Sequence, residues 1–103
     1  MLLVTTDFIP GVQFEALGIV TGSTVRAKHM GKDFMASFRN IVGGEVTEYT
    51  EMMRESREIA TQRMMDDAAR IGADAIVGVR YTSSEIMQGS AEIMAYGTAV
   101  RYK

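Results

Sequence analysis

Gly43-Gly44-Glu45-Val46-Thr47-Glu48-Tyr49-Thr50-Glu51-Met52-Met53 opens the stretch that decides the fold, and Arg70-Ile71-Gly72-Ala73-Asp74-Ala75-Ile76-Val77-Gly78-Val79-Arg80 closes it. Between the glycine pair and Gly72, Tyr49, Met52, Met53, Ile59, Ala60, Met64, Ala68 and Ile71 recur at i, i+3 and i+4 spacing. That period predicts one long amphipathic helix over 45–71. Glu45, Glu48 and Glu51 fall in its first turns, where the partial positive charge of unpaired N–H groups favours acids. Gly72 suits the left-handed residue that ends a helix. Directly after it, Ala75, Val77, Val79 and Tyr81 alternate against Ile76, Gly78, Arg80 and Thr82, which predicts a strand over 75–83.

Working outward, Leu2-Leu3-Val4 reads as a short strand, and Ile9-Pro10-Gly11 as a turn around the only proline. Residues 14–28 are rich in Val, Ile and Thr and predict a long strand, with Gly18 and Gly22 marking a bulge or bend. Phe34, Met35, Phe38, Ile41 and Val42 predict a short helix over 32–42. The segment Ser83–Ser90 reads as a hairpin loop and 91–102 as a final strand. On that strand Ala95, Gly97 and Ala99 would let a helix approach closely, while Met94, Tyr96, Val100 and Tyr102 line the other side. The expected fold is therefore α+β: a two-layer domain over 1–103, with a mainly antiparallel sheet packed by one long and one short helix.

The 103 residues suit a single domain. With 47% apolar and 23% charged residues the chain falls within the globular norm, which argues against disorder. A net charge of −2 without a basic cluster argues against nucleic acid as a partner. The absence of cysteine excludes disulfides, zinc–thiolate sites and thiol catalysis, and agrees with a cytoplasmic location. The first residues lack the basic and apolar regions of a signal peptide, and no apolar run is long enough to span a membrane.

Chemistry is thinly represented. Zinc needs His, Cys or carboxylate ligands in sets, and His29 is the only histidine, so a solvated loop position is its favoured reading. Nine methionines offer thioethers for soft ions. Yet Met52-Met53 and Met64-Met65 are adjacent pairs that point to different sides of a helix, and filling the core is the commoner use of methionine. Glu51, Glu55 and Glu58 share a face that reads as solvated. No nucleophile–base pairing or phosphate-binding loop is visible, so an enzyme is disfavoured and no cofactor is specified. Arg39, Asn40, Glu45 and Tyr49 around the glycine pair, with Glu92 and Tyr96 on the last strand, form the candidate ligand or interface cluster. A clamp between subunits, with Arg39 paired to Glu45 or Glu92, is the favoured reading of that cluster.

A helix over 45–71 would be about 40 Å long, against a diameter of roughly 34 Å for a compact domain of this size. Such a helix overhangs its own sheet, and an apolar second sheet face adds to the expectation of self-association.

The ordered segments Arg39–Glu45 (RNIVGGE), Glu48–Met53 (EYTEMM), Arg57–Met64 (REIATQRM), Ile71–Tyr81 (IGADAIVGVRY) and Ala95–Val100 (AYGTAV) resemble the YbjQ-like family over nearly the whole chain. That resemblance implies a small α+β domain similar in fold to dodecin subunits, assembled as a homopentamer. The family carries the label "putative heavy-metal-binding" with no established activity. It thus implies an oligomeric metal-ion-binding protein; a small-molecule or cofactor binder at subunit interfaces, or a non-catalytic structural oligomer, are the alternatives.

Overall fold

Helix α1, Thr47–Arg70, forms where the periodicity places it, but its buried stripe is narrow. Ser56, Ala60, Met64 and Ala68, each one turn from the next, are buried, while Ile71 is exposed. Small side chains on this line bring the helix axis close to the sheet. The helix ends as its sequence predicts. Gly72 takes φ +80°, its N–H donates to the Ala69 carbonyl, and the Ala73 N–H donates to the Ala68 carbonyl. This is the paired capping arrangement that glycine makes possible.

In this computed structural model residues 1–27 and 47–103 are described. The short helix expected over 32–42 and the glycine pair lie outside them. The strands are β1 (Leu2–Leu3), β2 (Phe14–Ala27), β3 (Ala75–Met87) and β4 (Ser90–Tyr102), in the spatial order β1-β3-β4-β2. β4 pairs antiparallel with both neighbours, and β1 pairs parallel with β3 through Leu2–Ala75 and Leu3–Ile76. The sheet is therefore mixed, with its antiparallel part dominant. One sheet and one helix layer make the α+β architecture.

Two readings of the sequence need correction. The serine-rich stretch expected as a hairpin loop is strand: β3 continues to Met87 because Thr82, Ser83, Ser84 and Glu85 face Met94, Ile93, Glu92 and Ala91. Only Gln88 and Gly89 turn the chain. Of the two glycines expected to bend β2, Gly18 does mark a register shift, between Ala16 and Gly18. Gly22 instead is where helix meets strand. A Cβ there would collide with the carbonyl oxygen of Ala60 and the amide nitrogen of Met64. Nothing larger than a hydrogen atom fits between the two backbones at that point.

The helix consequently runs over β2, the edge strand, rather than over the middle of the sheet. Val20, Ile76, Val79, Ile93, Ala95 and Ala99 fill the space beneath it with Ala60, Met64 and Ala68. Among the described residues, the opposite sheet face is covered at one end only. There Ile9 packs on Ala75, Val77 and Val100, flanked by Val4, Val12 and Phe14 from the N-terminal segment. That segment also occupies the outer edge of β3. Val4 N–H donates to the Ile76 carbonyl, Val79 N–H to the Val4 carbonyl and Gly78 N–H to the Thr6 carbonyl. Val100, expected on the exposed side, is buried by this cover.

Candidate functional site

Alternation along β4 decides which face each candidate residue occupies. Ile93, Ala95 and Ala99 point to the helix, so Glu92, Met94, Tyr96 and Thr98 point away from it. Glu92 lies between Val25 of β2 and Ser84 of β3, and Tyr96 lies between Thr21 and Arg80. Ile19 and Val25 belong to the same face and are 80% and 55% exposed, with Tyr96 at 38%. Arg80 is tied down by donating to the Thr5 carbonyl at 2.9 Å. The result is an exposed sheet face beyond the reach of the N-terminal cover, on which Ile19, Val25, Met94 and Tyr96 alternate with Thr21, Ser23, Glu92 and Thr98.

Of the six residues singled out from the sequence, Glu92 and Tyr96 thus share a face, one pleat repeat apart from Met94. Tyr49 sits in the first turn of α1, in the layer on the other side of the sheet. Arg39, Asn40 and Glu45 lie outside the described residues, and so does His29.

Among the described residues, three clefts lie along the helix. Between its C-terminal half and β2, Thr21, Arg63, Asp66, Asp67 and Arg70 line a polar groove of ≈ 460 Å³. Its charges are largely committed. Asp67 accepts from the Thr21 N–H at 3.2 Å and pairs with Arg70, and Arg63 donates to the Ser23 carbonyl at 2.7 Å. Asp66 accepts from the Gln62 amide at 2.9 Å.

On the opposite flank, Arg54, Arg57, Glu58, Thr61 and Tyr81 line a cleft of ≈ 370 Å³. Thr61 and Tyr81 hydroxyls share a hydrogen bond of 2.7 Å, and Arg54 pairs with Glu51. The third cleft, ≈ 230 Å³, opens near the start of the helix between Met52, Met53, Arg26, Glu85, Gly89 of the turn, and Ser90 and Ala91 at the start of β4. Here the structure departs from the expectation that adjacent methionines face apart: both Met52 and Met53 are half-buried and line this one cleft. The signal missed is the length of the side chain, whose three rotatable bonds let neighbours on a helix border one space.

The sequence model of a family described as "Putative heavy-metal-binding" matches residues 1–103 of this chain. The chain belongs to the YbjQ family. A UPF0145 protein of Fervidobacterium nodosum is 56% identical over 104 residues, covering 100% of this chain and 96% of its own. A UPF0145 protein of Vibrio campbellii is 56% identical over 102 residues, with 98% of each chain covered. One from Thermus thermophilus is 54% identical over 102 residues, covering 98% of this chain and 90% of its own. In structure the chain is similar to a DUF74-family protein of unknown function from Pediococcus pentosaceus, with a TM-score of 0.73 at 14% identity, covering 100% and 98% of the two chains. At that identity the likeness speaks for the fold.

The YbjQ family description sets a specific chemical test. Among the described residues no three His, Cys, Asp or Glu side chains come together in a way that could hold a metal ion. Within those residues, hard or borderline ions therefore lack a ready-made ligand set in one copy of the chain. No described helix is long and apolar enough to cross a membrane.

Proposed function

We propose that this YbjQ-family chain is the subunit of a homo-oligomer, most simply a closed ring of five, which binds metal ions in the cytoplasm without catalysing a reaction. The open sheet face carries this reading. Its Ile19, Val25 and Tyr96 leave large apolar side chains exposed on one face, a feature that supports a protein contact there. The described residues also have extents of 54 × 26 × 16 Å and a radius of gyration of 17.0 Å, against about 13 Å for a compact domain of this length. A thin slab buries little by itself and gains by stacking.

Sedimentation of the purified chain at micromolar concentration, with native mass spectrometry of protein taken directly from cells, tests both halves of the reading. The expected outcome is a defined oligomer that retains metal ions. An 11.3 kDa monomer would end the assembly reading.

A second reading has one observation in its favour. Arg57, with the Thr61–Tyr81 hydroxyl pair, offers donors to an anionic small molecule in the cleft beside β3. Retention of an organic anion in place of a metal in the same mass spectrum would favour it.

A further inference from the structure

The geometry points to a thioether site for a soft monovalent cation, Cu(I) or Ag(I), in the cleft formed by Met52, Met53 and Glu85. This inference rests on the metal-binding half of the reading above, and it assigns the ion class and the ligands.

Consecutive residues on a helix are separated by about 100° of rotation, so one of such a pair ordinarily enters the core and the other faces water. In α1 neither does so fully. Met53 packs on the rim of the main core, Met52 is also half-buried, and both border the same space. The opposite wall supplies Glu85, from the part of β3 that faces the helix layer but is not covered by it. Its carboxylate has no ion-pair partner among the described residues. The cation at the rim is already neutralised: Arg26 pairs with Glu55 at 2.9 Å. The end of the hairpin closing the cleft is small, with Gly89 of the turn and Ser90 and Ala91 of β4 leaving room beside the methionines.

Two neutral sulfur donors and one carboxylate oxygen define the preference. Thioethers are soft and uncharged, so they favour Cu(I) and its analogue Ag(I) over zinc, magnesium or calcium, which take harder ligands. One carboxylate balances a single positive charge, whereas a divalent ion would remain under-compensated. The thioethers also release no proton on binding, so affinity should stay flat across the range in which an imidazole site loses its metal to protonation.

The test is a titration of the full-length protein with silver nitrate in chloride-free buffer, followed by calorimetry and by the methyl resonances of labelled methionine. Expected are one Ag(I) per chain, displacement of the Met52 and Met53 signals above those of the other methionines, and equal affinity at neutral and mildly acidic pH. Met52→Leu with Met53→Leu conserves volume and apolarity. It should leave circular dichroism and oligomer mass unchanged and weaken Ag(I) binding by at least about 100-fold, beyond the roughly 10–100-fold typical of losing an outer-shell partner. Silver binding that survives the double substitution would overturn this site while leaving the metal-binding reading intact. So would zinc or cadmium binding without silver. A protein that binds none of the three would overturn both.

Discussion

Gly22 shows how much of the packing a single side chain can decide. Its φ is ordinary for a strand, so an alanine is not strained there by backbone conformation; the obstacle is the helix backbone at Ala60 and Met64. Flexible side chains can move away from a new methyl group, but two hydrogen-bonded backbones cannot. Gly22→Ala should therefore cost at least the upper end of the roughly 1–3 kcal/mol of an over-packed core, with about 4–8 °C lost from Tm per kcal/mol. Gly11→Ala is the contrast. It has φ +75° and open space around it, so only conformational strain of about 1 kcal/mol is expected. Equal melting temperatures for the two variants in a thermal scan would contradict the close approach. The same residue marks a limit of sequence reading. A glycine in a run of β-branched residues signals that something is unusual, but whether it bends the strand or admits a neighbour depends on an element far along the chain.

At the scale of elements, the helix does more than cover β2; it seals that strand's outer edge. Thr21 and Ser23 point a backbone N–H and a carbonyl away from the sheet, and Asp67 and Arg63 meet them. Edge strands with unpaired backbone groups invite pairing with other chains, and charged side chains over the edge are one protection. In Asp67→Ala the Thr21 amide should exchange its hydrogen distinctly faster. The amides of Val20 and Gly22, directed into the ladder with β4, should keep their protection. Unchanged exchange at Thr21 would show that the Asp67 contact contributes nothing in solution. Local features of these elements were legible beforehand. The helix period and the Gly72 cap are written in consecutive residues, and the resemblance of segments from Arg39 to Val100 matched the family found over the whole chain. The extension of β3 through Ser83–Met87 was not legible, because a polar serine pair carries no alternation and owes its extended form to pairing with β4. Nor was the shared cleft of Met52 and Met53, since helical direction alone does not place the end of a flexible side chain. Of the candidate cluster, the sequence indicated Glu92 and Tyr96 as neighbours on one strand. The small residues Ala95, Gly97 and Ala99 also placed Tyr96 on the face turned away from the long helix, as the register confirms.

For the whole molecule, the decisive asymmetry is that, among the described residues, only one end of the sheet's second face is covered. The N-terminal segment buries Val77 and Val100 and stops short of Tyr96 and Ile19. If the open part is the contact between copies, Tyr96→Glu places a charge in a desolvated apolar interface, and the oligomer should dissociate into folded monomers with unchanged helix content. Burial of an uncompensated charge typically costs several kcal/mol, ample to shift an association equilibrium by orders of magnitude at constant protein concentration. Sedimentation velocity of the variant reads this directly. A variant that sediments with the parent's mass would assign the contact to another surface and leave this face to a different partner.

The pairing of Phe14 with Tyr102 and of Leu2 with Ala75 has a consequence for the birth of the protein. During synthesis β2 emerges early, yet β4, the described strand that pairs with it, is made after α1 and β3, and α1 leaves the ribosome before most of the sheet beneath it exists. Until β4 appears, β2 lacks its ladder partner and the Ser56–Ala60–Met64–Ala68 stripe lacks Ile93, Ala95 and Ala99 beneath it. Closure of the sheet then has to draw distant parts of the chain together, a step governed by loop entropy rather than by local propensity, and slow for that reason. A nascent chain halted before β4 should remain sensitive to protease and depend on chaperones, and acquire its protection abruptly once the final strand is released.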